Sequence, residues 1–225
     1  MDNTLSQIQE FLIIGGPVVW ILMGFSVIAL TIVMVKFWQL TSLRAESRKA
    51  LDLALESWRN RDADGAIAML SDKRPVESIV AYSMEALRST SRDVATVREE
   101  AERRALNTLH TLRSNLRPLE IIASLSPLLG LLGTVLGMIT AFQSMESAGS
   151  QVDPSVLSGG IWQALLTTAV GITVAIPVVA LHAWLERKVE RIAHIMNDAV
   201  TQVFTSKEGE RLAAVVAARG ALHAA

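Results

Sequence analysis

Three long runs without a charged residue dominate the pattern of the chain. Phe11 to Val35, Ile121 to Met145 and Pro154 to Leu185 contain no Asp, Glu, Lys or Arg, and each exceeds the roughly 20 residues that carry a helix across a bilayer. The pattern predicts three transmembrane helices, at residues 11–35, 119–145 and 159–185. Packing three such runs inside a soluble core would need far more polar chain than the 225 residues leave for it. A cleaved leader is not expected either: Asp2 and Glu10 precede the first run without any Lys or Arg, and the run is too long for the apolar core of a signal peptide.

Between the runs the periodicity changes. Val94, Val97, Ala101, Ala105, Leu109, Leu112 and Leu116 recur at spacings of three and four, a helical stripe that leads into the second run with only Pro118 between. After the third run, Leu185, Val189, Ile192, Met196, Ala199 and Val203 alternate four and three, the seam of a heptad, while Glu186, Arg187, Lys188, Glu190 and Arg191 face away. Either stripe suits packing within one chain or between subunits. Asp62, Asp64 and Gly65 predict a turn between short helices, and Lys73 to Pro75 another, with Pro75 suited to a first helical turn. The Ala-rich end from Leu212 is expected to fray. The fold class is therefore an all-α membrane protein whose second and third transmembrane helices extend into a helical cytoplasmic domain.

Charge sets the expected orientation. Fifteen Lys and Arg lie between Lys36 and Arg117 and six follow Leu185, but none lies in residues 1–10 or between Gln143 and Gly160. Basic loops stay on the cytoplasmic side. Residues 1–10 and the loop 146–158 are thus expected outside, and 36–118 and 186–225 inside. Arg44, Arg48 and Lys49 form a basic belt suited to membrane lipids. The formal net charge of -1 offers no general attraction for nucleic acid. With no Cys and four scattered His, no metal site and no cofactor are expected. An enzyme is not expected: the run GLLGT lacks the Lys of a phosphate loop, and no G-x-S-x-G is present.

Small and hydroxylated residues gather on one stripe of each of the last two membrane helices. Ser126, Gly130, Gly133, Thr134, Gly137, Thr140, Ala141 and Ser144 fall within roughly 120° on the second helix. Gly160, Gln163, Ala164, Thr167, Thr168, Gly171, Ala175 and His182 fall within about 140° on the third. Two readings fit. Gly130, Gly133, Gly137 and Gly171 allow backbones to approach closely, as helix packing in lipid requires. The hydroxyls also suit a wetted conduit. No carboxylate lies between Glu120 and Glu146 or between Asp153 and Glu186, so a proton pathway would need an acid from another subunit.

The run from Asn115 to Gln143, NLRPLEIIASLSPLLGLLGTVLGMITAFQ, and the run from Gly159 to Pro177, GGIWQALLTTAVGITVAIP, resemble the two signature spans of the MotA/TolQ/ExbB proton-channel family, closest to the ExbB type. A single span before the polar domain matches ExbB and TolQ rather than MotA. The resemblance implies an inner-membrane motor subunit, a homopentamer whose second and third helices line a pore. It also implies a smaller ExbD- or TolR-like partner carrying a membrane Asp, and work delivered to TonB or TolA. By this resemblance Thr134 and Thr168 face the pore, and the stripe adds Thr167. Gln163 is the fourth expected pore-lining residue: where many relatives carry Glu, this side chain keeps the shape and hydrogen-bonding capacity without a charge to change.

Overall fold

The computed structural model describes residues 15–42, 48–89, 93–148, 154–206, 209–212, 214–215 and 218. The expectations for residues 1–10, for Arg44, for the middle of the 146–158 loop and for much of the C-terminal end lie outside the described residues. The described elements are all helices: α1 (Gly16–Ser42), α2 (Lys49–Arg59), α3 (Ala63–Ala68), α4 (Pro75–Arg88), α5 (Val94–Arg113), α6 (Leu116–Ala148) and α7 (Pro154–Thr205). Three helical stretches are long and apolar enough to cross a membrane, and each overlaps one of the three charge-free runs. The chain divides into an apolar unit, Met1–Val35 with Asn115–Leu185, and a polar unit, Lys36–Ser114 with Glu186–Ala225.

In the apolar unit α1 buries one narrow face, Val18, Val19, Leu22 and Ala29, and leaves Trp20, Val27, Ile28 and Leu30 exposed. Such a surface is stable where hydrocarbon or another apolar protein surface covers it. Trp20 and Trp38 stand near the two ends of α1, and Trp162 and Trp184 near the ends of the apolar half of α7. At 1.5 Å per residue these pairs are about 27 and about 33 Å apart, close to the hydrocarbon thickness of a bilayer, where indoles prefer the two boundaries.

In the polar unit short helices fold around the second half of α7. Leu51, Ala54, Leu55 and Trp58 are buried at helical spacing on α2. Asp62 caps α3 by accepting the Gly65 amide N–H at 2.9 Å, after Arg61 has turned the chain at a φ of 69°. Pro75 opens α4, as expected. Two residues on, the buried carboxylate of Glu77 accepts from Arg74 at 2.6 Å and from the Ser71 amide at 3.0 Å. The heptad residues Val189, Ile192, Met196, Ala199 and Val203 are buried within this one chain. That is the intrachain reading of the seam.

One boundary differs from the sequence expectation. The stripe from Val94 does not pass unbroken into the second span: α5 ends at Arg113 and α6 begins at Leu116, with Asn115 at a φ of 64°. Asn tolerates the left-handed region better than most residues. Pro118 is no break at all, because it lies in the first turn of α6, where its missing N–H has no helical acceptor to lose. Helix α7, by contrast, runs 52 residues from Pro154 to Thr205 as expected.

Two helix ends in the polar unit are closed by side chains distant in sequence. Lys36 is 2% exposed; its ammonium donates to Leu112 O at 3.1 Å and Thr111 O at 3.4 Å, at the C-terminus of α5, and to Gln39 Oε1 at 3.0 Å. A cation there also meets the negative end of the helix dipole. Fully buried Trp58 donates from Nε1 to Val203 O at 3.1 Å, at the C-terminus of α7.

Candidate functional site

The apolar unit is organised by the antiparallel contact of α6 and α7. A Cβ added at Gly171 would lie 2.6 Å from Ser126 O, one at Gly130 would lie 3.0 Å from Thr168 Cα, and one at Gly133 would lie 2.6 Å from Thr167 Cβ. One at Gly137 would lie 3.0 Å from Ala164 Cβ, and one at Gly160 would overlap Ala141 Cβ. As the partners climb α6 they descend α7, so the two backbones touch along a ladder of missing side chains. Gly130, Gly133, Gly137 and Gly171 thus lie at this contact. Two hydroxyls lock it: Thr168 Oγ1 donates to Gly130 O at 3.0 Å, and Thr167 Oγ1 lies 3.3 Å from the same carbonyl and 2.7 Å from Ala164 O.

The four pore residues named from the sequence do not form one wall. Thr167 is 3% exposed and lies inside the helix pair. Gly133 faces it, and each helix turns about 100° per residue, so the single steps to Thr134 and to Thr168 bring these two to the same flank of an antiparallel pair. Both are half-buried, and the Thr134 hydroxyl donates to Leu131 O at 2.6 Å. Gln163 lies one turn back from Thr167, on the opposite flank. There, with Leu136, Gly137 and Thr140, it lines an open-mouthed cavity of about 220 Å³, whose lining also includes Gly15, Gly16, Pro17 and Val18 at the start of α1. A Cβ at Gly16 would sit 3.7 Å from Gln163 Nε2. Gly16 has a φ of 64°, a turn that glycine makes without steric cost.

The helical wheel had put these polar residues on one broad stripe, but a wheel does not say which neighbour covers which edge. The α6–α7 contact puts Gln163 on one flank and Thr134 and Thr168 on the other, and the start of α1 lies against the first. The tryptophan pairs and the two capped helix ends escaped the sequence reading as well. The Trp spacing was visible in the sequence; the capping pairs were not, since their partners are 75 or more residues apart.

Among the described residues no group of three or more His, Asp and Glu is placed to hold a metal. Outside the membrane, the Glu100 carboxylate is held down at about 2 by hydrogen bonds from Arg103 and then Arg104, at 2.7 and 3.0 Å. The same carboxylate raises the affinity of Arg103 for its proton.

Apolar helices joined through a glycine ladder, with lipid-type surface around them and a helical polar unit, define an all-α multi-pass membrane protein. Residues 71–198, more than half of the chain, match the MotA/TolQ/ExbB proton channel family. The chain belongs to that family. It is similar to biopolymer transport protein exbB1 of Vibrio cholerae, 41% identical over 92 residues, 39% of this chain and 40% of that relative's length. It is also similar to biopolymer transport protein ExbB-like 3 of Synechocystis, 31% identical over 72% of this chain and 77% of the relative. With the Tol-Pal system protein TolQ of Haemophilus influenzae it shares 29% identity over 90% of this chain and 92% of the relative.

Proposed function

We propose that this chain is an ExbB-like subunit of an inner-membrane motor that uses the proton gradient to drive TonB-dependent transport across an outer membrane. In this reading it forms a homo-oligomer, a pentamer, around the membrane helix of an ExbD/TolR-like partner that brings the titrating Asp. Thr134 and Thr168 face that helix. Residues 1–10 and 146–158 lie outside, and 36–118 and 186–225 lie in the cytoplasm, in keeping with the distribution of basic residues. The observation that carries the reading is the shared flank of Thr134 and Thr168, half-buried hydroxyls on apolar stretches that hold no acid between Glu120 and Glu146 or between Asp153 and Glu186. A hydroxyl left on an open flank of a membrane helix suits a polar partner or water better than acyl chains.

A second reading, service in a Tol-Pal system, is favoured by the TolQ relative, whose match covers nearly the full length of both chains. The motor reading itself is tested with Thr134→Val and Thr168→Val in cells that depend on the complex. Proton-dependent uptake or envelope integrity is expected to fail while the assembled complex is still recovered. Normal work with both valines would refute the role of this flank, and the phenotype that is lost separates the two readings.

A further inference from the structure

We propose that the cavity beneath the first turn of α1 is a water-holding chamber within the membrane unit, with the Gln163 amide as its principal polar anchor. Its volume of about 220 Å³ is several times the roughly 30 Å³ that one water occupies in the liquid. Its lining is mixed. Val18, Leu136 and Pro17 are apolar, but Gln163 and Thr140 contribute side-chain polar atoms.

Among the described residues the polar demand of this lining is only partly met. A glutamine amide offers two donors and an acceptor, and no described residue makes a hydrogen bond to that of Gln163. Thr140 and Thr167 already donate to Leu136 O and Ala164 O, so they offer the chamber lone pairs rather than protons. Acyl chains would leave the amide unsatisfied, at a cost that water removes. The chamber lies on the α1 side of the α6–α7 pair, away from the flank of Thr134 and Thr168, so its hydration does not depend on whether that flank conducts protons.

Because the chain has no cysteine, single thiols report on water directly. Gln163→Cys and, separately, Thr140→Cys are to be compared with Leu165→Cys, whose parent residue is 61% exposed on the outside of α7. The complex is kept in open membrane fragments and treated from both sides with a small anionic methanethiosulfonate. Only the thiolate reacts, and it forms only where water reaches, so the chamber positions should label about tenfold faster than position 165 or more. Adding Thr140→Leu to the Gln163→Cys background should slow labelling by filling the space. Equal rates at 163, 140 and 165 would overturn the proposal, as would rates at 163 indifferent to Thr140→Leu. Recovery of each variant in the assembled complex separates a dry chamber from a misfolded one.

Discussion

Gly133 is where the α6–α7 contact leaves least room. An added methyl would lie 2.6 Å from Thr167 Cβ and 3.1 Å from its Cγ2, and would overlap its hydroxyl. Ordinary contact begins near 3.4 Å, so the shortfall at Cβ is 3.4 − 2.6 = 0.8 Å. A rotamer change does not help, because Cβ is fixed by the backbone; the helices themselves must part. Overpacking of this kind costs about 1–3 kcal/mol. Parting also stretches the Thr167 and Thr168 contacts to Gly130 O, worth about 0.6 kcal/mol each in membranes, against a gain of up to about 1 kcal/mol in helix propensity. Gly24→Ala is the control, since nothing lies within 4 Å of its added methyl. In denaturation by SDS from bicelles, Gly133→Ala should unfold earlier than wild type and Gly24→Ala no earlier. Adding Thr167→Gly to Gly133→Ala should cost less than the two single changes summed, whereas Thr167→Ser, which keeps Cβ, should bring no such relief. Identical unfolding of Gly133→Ala and Gly24→Ala would refute the close-contact account.

Lys36→Met keeps the length of the stem but removes the donor at the end of α5; given the hydrogen bonds lost and the cation's desolvation regained, a loss of about 1–3 kcal/mol is expected. Thermal unfolding of the purified protein checks it, and unchanged or raised stability would show that the ammonium contributes nothing there. The Glu100 carboxylate should titrate at about 2 by NMR, because hydrogen bonds from Arg103 and Arg104 favour its ionised form. Its contribution is therefore complete above the ordinary value of 4.5 and is lost only as pH falls through about 2. Arg103→Gln should move the titration upward, and a Glu100 that titrates at its ordinary value in the parent protein would contradict the pairing.

The membrane helices were legible because charge is so costly in hydrocarbon that its absence over 25 or more residues leaves few alternatives. The second half of α7 was legible for a related reason: a heptad seam beside water needs a partner, and Leu185 to Val203 are buried as the spacing indicates. The α5–α6 junction was not legible, since a helical stripe continues through Asn115 and only a backbone torsion at one residue interrupts it. For the candidate site, spacing identified the small residues of the contact. It was silent on which edge α1 covers, because a helix apolar on all sides carries no mark of the side it buries. The division of Gln163 from Thr134 and Thr168 is thus a tertiary fact.

The tryptophans of α1 and α7 set an unequal ruler. If both pairs anchor at the same two water boundaries, a helix whose anchors are about 33 Å apart must lean by roughly 35° to match one whose anchors are about 27 Å apart. Bilayer thickness then becomes a control on inclination: longer acyl chains would raise α7 toward the membrane normal, shorter ones would tip it further.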